Sequence, residues 1–99
     1  AFFCLLGEAA LRARDLGAAS SYLRRARQLE PLDDRAALLL ALLHARRGEA
    51  DKAVTLYLEV QERAPADKTA VRGLALVRAS PGPEALAARS LAAAELFPP

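Results

Sequence analysis

Residues 31–65 read PLDDRAALLLALLHARRGEADKAVTLYLEVQERAP and contain two helical patterns between two prolines. In the first pattern, residues 36–45, nine of ten residues are apolar. Gly48 can adopt the left-handed conformation that ends a helix, and an amphipathic pattern follows it as far as Arg63. We therefore predict two helices joined by a short turn, which holds them antiparallel and in contact.

The features of this stretch recur at an interval of thirty-four residues on both sides of it. Small residues, apolar residues and prolines return at that spacing: Ala19, Ala53 and Ala87; Leu6, Leu40 and Leu74; Leu23, Tyr57 and Leu91; Ala26, Val60 and Ala94; Pro31, Pro65 and Pro99. Such a period indicates stacked helix pairs, each covering the apolar face of its neighbour. The sequence predicts an all-α fold, an α-solenoid of three antiparallel helix pairs in a single domain over residues 1–99.

Capping residues and prolines set the expected bounds of six helices. The predicted ranges are 3–13, 16–29, 35–46, 50–63, 68–79 and 84–97. The N-caps are expected at Asp15, at Asp33 or Asp34, and at Asp67. Pro83 suits the first turn of the sixth helix, where a backbone N–H would have no helical partner. Small residues are expected to face each other within each pair: Gly7, Ala41 and Ala75 on the first helices, and Ala19, Ala53 and Ala87 on the second.

These positions resemble the tetratricopeptide repeat family. Its motif has a large apolar residue, leucine and a small residue on the first helix, then alanine, an aromatic residue or leucine, and alanine on the second, before a proline. The first repeat, 1–33, matches it with Phe3, Leu6, Gly7, Ala19, Leu23, Ala26 and Pro31. The second, 34–67, matches it with Leu40, Ala41, Gly48, Ala53, Tyr57, Val60 and Pro65. The third, 68–99, keeps the spacing, but Pro81 and Pro83 replace the usual turn and Arg78 replaces a bulky residue.

The resemblance implies a right-handed superhelix that binds another protein on a concave surface formed by the first helix of each repeat. The expected lining is Cys4, Glu8, Leu11, Arg12, Arg35, Leu38, Leu42, Ala45, Arg46, Thr69, Arg72, Leu76 and Ala79. A helix that is apolar on every side is normally covered on every side. We therefore expect an open face at Leu38 and Leu42 on which an apolar or amphipathic peptide docks. A terminal segment or an adjacent repeat that folds over the groove would explain the same pattern.

The arginines around this surface allow two interpretations. Arginine holds a carboxylate through two parallel hydrogen bonds, so a partner with carboxylates beside its apolar anchors would fit Arg12, Arg35, Arg46 and Arg72. Ordinary solvated arginines at the rim of a groove are the simpler interpretation.

The ends of the solenoid suggest an alternative function. Phe2 and Phe3 open the first helix, and Ala88, Leu91 and Ala92 lie where a following repeat would pack. Apolar ends of this kind normally meet another repeat. The chain would then be a self-assembling structural unit, as a homo-oligomer or as part of a longer repeat array. Fraying of the sixth helix is the simpler explanation of its apolar end.

Composition argues against several other functions. The formal net charge is only +2, and it is spread along the chain, so we expect no nucleic-acid partner. The longest apolar run, residues 36–43, is too short to span a membrane. Cys4 lies in an apolar context and His44 on the inward side of its helix, which indicates packing roles for both. We predict no enzyme activity, no cofactor and no metal, and the sequence leaves the compartment open.

Overall fold

The computed structural model describes the backbone of residues 2–92 and the side chains of residues 2–90. Its helices are α1 (Phe2–Arg12), α2 (Leu16–Leu29), α3 (Asp34–Arg46), α4 (Ala50–Arg63), α5 (Lys68–Ala79) and α6 (Pro83–Ala92). The predicted bounds agree within one residue, apart from the predicted end of the sixth helix at residue 97, which lies outside the described residues. No strand occurs between residues 2 and 92, and the all-α solenoid is confirmed.

Aspartates cap three of the helices at their N-termini. Asp15 and Asp67 each accept a 3.0 Å hydrogen bond from the backbone N–H three residues later. Asp33, rather than Asp34, caps α3 by accepting a 3.0 Å bond from the backbone N–H of Arg35. Each bond satisfies an N–H that has no partner inside its helix. These caps hold the start of each helix at the position that the sequence predicts.

Small residues bring the helices of the first two pairs close together. A Cβ atom added at Gly7 would lie 2.5 Å from the side chain of Leu23 on α2. Ala53 is fully buried on α4, in one core cluster with Ala41 of α3. Their burial agrees with the predicted contact between small residues in these two pairs.

The turns inside the three pairs have equal length but not equal conformation. Three residues separate the two helices of every pair. Arg14 in the first turn has φ 61° and Gly48 in the second has φ 76°, so both are left-handed. Gly82 follows at the same spacing of thirty-four residues, yet its φ is not positive. The third turn therefore sends its helix in a different direction.

The helix α6 departs from the repeat arrangement, since it packs mainly on α3 and only slightly on α5. Its Leu86 is buried in the same core cluster as Leu38 and Ala45 of α3. Ala75 of α5 is exposed, although its counterparts in the first two repeats are buried. The prediction that Ala75 is buried against Ala87 is therefore wrong, because the third turn carries α6 away from α5.

Candidate functional site

The centre of the predicted groove is buried by the chain itself. Leu38 and Leu42 are only 5% and 4% exposed, and Ala45 is fully buried. The expectation of an open face at Leu38 and Leu42 is therefore wrong. The helix α6 packs on α3, and its Leu86 is a member of the same buried cluster as Leu38 and Ala45.

The remaining predicted groove residues form two margins of this surface. On α1, Leu11 is buried and Arg12 is exposed. On α5, Leu76 is half-buried and Arg72 is exposed. The accessible part of the predicted lining is thus mainly charged, and its leucines are buried or, at Leu76, half-buried.

One carboxylate of the chain already occupies part of the predicted basic rim. Glu8 contacts Arg35 at 2.7 Å and Arg12 at 3.3 Å. Arg12 is largely exposed, so its pair contributes little free energy, whereas Arg35 and Glu8 are both partly buried. A partner carboxylate would have to compete with Glu8 for Arg35.

The guanidinium of Arg46 donates hydrogen bonds to backbone carbonyls of two other helices. Its Nη1 donates a 3.1 Å hydrogen bond to the backbone carbonyl of Leu11, and its Nε donates a 3.5 Å bond to the carbonyl of Ser90. Burial lowers the pKa of Arg46, and the nearby Arg14 acts in the same direction. The guanidinium still carries its charge at neutral pH, because an arginine does not lose its proton in proteins. Arg46 therefore fastens α6 and the end of α1 to α3.

Arg72 differs from these arginines. It is exposed on α5, and within the described part of the chain it forms no ion pair or hydrogen bond. The half-buried Leu76 follows one helical turn later. This is the one predicted pairing of a basic and an apolar groove residue that α6 leaves accessible among residues 2–90.

The single histidine of the sequence has a structural partner. His44 Nδ1 lies 3.0 Å from Glu49 Oε1 across the turn between α3 and α4. This hydrogen bond is the main reason why the pKa of Glu49 is lowered, and Lys52 adds to it. Glu49 precedes α4 but makes no side-chain capping bond, which fits its engagement with His44. Sequence reasoning missed Glu49 because the turn after α3 brings this residue back to His44.

Cys4 is unsuited to act as a nucleophile. It is free and buried, and burial raises the pKa of its thiol, with Asp33 as the second cause. Within the described residues there is no group of three histidine, cysteine, aspartate or glutamate side chains that could hold a metal ion. None of the helices described here has the length and apolar character needed to cross a membrane.

The predicted end residues have different surroundings. Phe2 is exposed, while Phe3 is half-buried and stacks on Tyr22 of α2 with 6.5 Å between ring centres. Phe3 thus belongs to the contact within its own helix pair. Ala88 is exposed on α6. The side chains of Leu91 and Ala92 lie outside the described residues.

Two buried residues of α6 were missed by the sequence analysis. Leu86 and Ser90 are almost fully buried against the rest of the fold. A signal for the first of them exists, because Leu86 stands thirty-four residues after Lys52 and sixty-eight after Ala18. A leucine at the position where the second repeat has a solvated lysine indicates a contact that the repeat pattern does not contain.

The paired helices and their stacked order define a helical-repeat protein, a class whose extended surfaces are used for binding. A family model described as Tetratricopeptide repeat matches residues 10–77, more than half of the chain. The chain belongs to the tetratricopeptide repeat family. The match ends before α6, the helix that departs from the repeat arrangement. Comparison with curated proteins and with solved structures gives no match.

Proposed function

We propose that the protein is an interaction scaffold whose concave surface binds an apolar or amphipathic helical segment of a partner protein. The observation that carries the proposal is α6, a helix that packs on α3 and whose buried Leu86 belongs to one core cluster with Leu38 and Ala45. Helices bind grooves by placing apolar side chains at such helical spacings. Family membership supports the coarser function, since tetratricopeptide repeats are generally protein-binding modules without enzyme activity.

The contacts of α6 indicate what a partner helix would carry. It would place an apolar side chain where Leu86 lies and another where Ser90 lies, one turn later. Ser90 is fully buried, and its Oγ has no hydrogen-bond partner among the described residues. An apolar side chain there would avoid the cost of an unpaired buried hydroxyl, about 1–3 kcal/mol. A carboxylate at the edge of the partner would fit Arg72.

A labelled peptide tests this proposal. The probe is a fluorescent peptide of residues 81–92 with Ser90→Leu, titrated into the native chain and into a Leu86→Lys chain. The substitution in the chain removes the side chain that anchors α6. We expect binding to the Leu86→Lys chain to be tighter by about tenfold or more, because the attached helix competes at a high effective concentration in the native chain. Fluorescence anisotropy gives both affinities.

Two controls make the result specific. A peptide that also carries Leu86→Lys is expected not to bind, and an Ala88→Lys chain, altered at an exposed position of α6, is expected to behave like the native chain. Absence of binding to a folded Leu86→Lys chain would contradict the proposal.

A second candidate function, self-assembly through the end of α1, is favoured by a specific observation. Phe2 and Leu5 are 68% and 65% exposed. Their counterparts thirty-four residues later, Ala36 and Leu39, are 0% and 1% exposed, on the helix that α2 covers. By repeat position, this face of α1 corresponds to the face of α3 that α2 covers, so it is a surface on which a further helix would pack. Such a helix from another copy of the chain would cover it.

A change of charge on this face tests self-assembly. Leu5→Glu is expected to convert the assembly to monomer, as measured by light scattering over a range of protein concentrations. Leu58→Glu is the matched control, since Leu58 is also exposed but lies on α4, away from this end. If the native chain has a monomer mass at every concentration, the candidate function is wrong.

A further inference from the structure

We infer that α6 has a second docking site, on α5 of the same chain, and that it moves there about the turn at residues 80–82. In the structure α6 packs mainly on α3; at the second site it would complete the third helix pair and uncover the part of α3 on which it packs. The consequence for a partner rests on the proposed function, but the two sites themselves do not.

The second site is visible as an uncovered face of α5. Val71 is 45% exposed, and Ala75, one turn later, is exposed as well. Their counterparts in the second repeat, Ala37 and Ala41, are fully buried in the core between α3 and its neighbours. The helices α3 and α4 form one of the closest pairs. By comparison, α5 exposes the face against which the second helix of its own pair would pack.

The helix α6 carries two faces, one for each site. Leu86 and Ser90, one turn apart, form a buried face, and the carbonyl of Ser90 accepts a hydrogen bond from Arg46 of α3. Ala87 holds the repeat position that Ala53 fills on α4, where Ala53 is fully buried. In the sequence, Leu91 stands thirty-four residues after Tyr57 and so has the same repeat position. In the structure Leu86 and Ser90 are buried and Ala87 is only half-buried, whereas packing along α5 in the repeat arrangement would bury the face of Ala87.

The third turn has the length and the glycine that this movement needs. It contains three residues, as the turns of the first two pairs do. Gly82 is in register with Arg14 and Gly48, both of which are left-handed, and glycine adopts that conformation without a steric penalty. Pro83 favours an extended conformation for Gly82 in either position of α6, so the movement has to overcome this preference. A change of backbone conformation at Gly82 would restore the direction of the other two turns.

The contact in the groove is imperfect, which favours exchange between the two sites. Ser90 Oγ is buried and has no hydrogen-bond partner among the described residues, and the bond from Arg46 to the Ser90 carbonyl is long at 3.5 Å. At the second site, position 90 would correspond to Tyr22 and Leu56, both of which are half-buried. The Ser90 hydroxyl could then reach water, so the movement would remove a cost that the groove contact imposes.

For a partner, the two sites would mean that the groove opens without unfolding any helix. A partner helix that binds Leu38 and Leu42 would favour the state with α6 on α5, and it would shift the population only by its preference for that state. Arg46 would lose its bond to the Ser90 carbonyl and gain a free donor for a partner carboxylate. Groove opening and completion of the third repeat would be one movement.

The test is a disulfide that can form only at the second site. Ala75→Cys and Ala87→Cys are introduced together in a Cys4→Ala chain, and crosslinking under mild oxidation is measured with and without Leu86→Lys. Lysine is the residue that the second repeat has at this position, so it suits α6 at the second site but not in the groove. We expect Leu86→Lys to raise the initial crosslinking rate by about tenfold or more, since burial of a leucine shifts an equilibrium by at least that factor.

Matched chains control the measurement. The pair Ala41→Cys and Ala53→Cys lies at the same repeat positions in the second repeat and is expected to crosslink in every background. Ala88→Lys in place of Leu86→Lys is expected to leave the crosslinking of the third-repeat pair unchanged. Amide hydrogen exchange provides a second readout, because α6 should stay protected in the Leu86→Lys chain if it docks on α5.

Either of two results would overturn the inference. One is that the second-repeat pair crosslinks while the third-repeat pair does not, with or without Leu86→Lys. The other is that Leu86→Lys removes the protection of α6 from hydrogen exchange, which would show that α6 has no second site. Because no partner is present in these measurements, their outcome is separate from the peptide titration, and failure of the peptide to bind would contradict the proposed function alone.

Discussion

Gly73→Ala is expected to lower the free energy of unfolding by about 2 kcal/mol. A Cβ atom at Gly73 would lie 2.6 Å from the hydroxyl oxygen of Tyr57 and closer still to its ring. Tyr57 is buried in the core between α4 and α5 and cannot move away without displacing its neighbours. Such overpacking costs up to about 3 kcal/mol, and the better helix propensity of alanine offsets about 1 kcal/mol. Urea unfolding followed by circular dichroism measures the difference.

Gly17→Ala is the matched control. Gly17 is exposed on α2, and a Cβ atom there would meet only the Asp15 carboxylate, at 3.8 Å. Alanine is expected to stabilise the chain at this position by about 1 kcal/mol through helix propensity. In a Tyr57→Leu background, Gly73→Ala should cost less than in the native chain. A Gly73→Ala chain as stable as the native one would show that α5 does not pack on Tyr57.

Leu39→Ala is expected to have a larger effect, a loss of about 2–5 kcal/mol from the free energy of unfolding. Leu39 is 1% exposed in the core cluster that joins α1, α2 and α3, so its truncation leaves a cavity. Typical domains are stable by only about 5–15 kcal/mol, and the variant should melt far below the native chain. Thermal and urea unfolding both measure this loss.

The repeat itself supplies the control for Leu39→Ala. Leu5 holds the same position thirty-four residues earlier and is 65% exposed. Leu5→Ala is therefore expected to change stability by less than about 0.5 kcal/mol. Equal losses for the two variants would contradict an uncovered end of α1. If the two losses of stability were equal at high protein concentration but not after dilution, another copy of the chain would be covering Leu5.

The helices and their pairing in the first two repeats could be predicted from the sequence, because local signals determine them. Aspartate caps such as Asp15 and Asp67 satisfy N–H groups within a few residues of themselves. The position of α6 could not be predicted in this way. It depends on the backbone conformation at Gly82 and on contacts between α6 and α3, which are far apart in sequence. The repeat period predicts that α6 packs along α5, whereas in the structure it packs mainly on α3 and only slightly on α5.

The candidate site was predicted in part for the same reason. The residues assigned to the concave side of α3 do lie on one side of that helix, but the period gives no information about a helix that leaves the repeat. One contact of the rim was accessible to sequence reasoning, since Glu8 and Arg12 are four residues apart on one helix. The stronger contact of Glu8 with Arg35 needs the stacking of α1 on α3.

The hydrogen bonds of Arg46 change how the domain should fold and unfold. In a linear repeat array each unit contacts only its neighbours, so the terminal units can fray independently. Arg46, in the middle repeat, binds carbonyls 35 residues before it and 44 residues after it. The first and third repeats thus share one side chain of the repeat between them, and α6 adds a contact with the middle repeat by packing on α3. Loss of either end weakens the attachment of the other, so the chain should melt as one cooperative unit and fold more slowly than an open array of three repeats, because its contacts are less local.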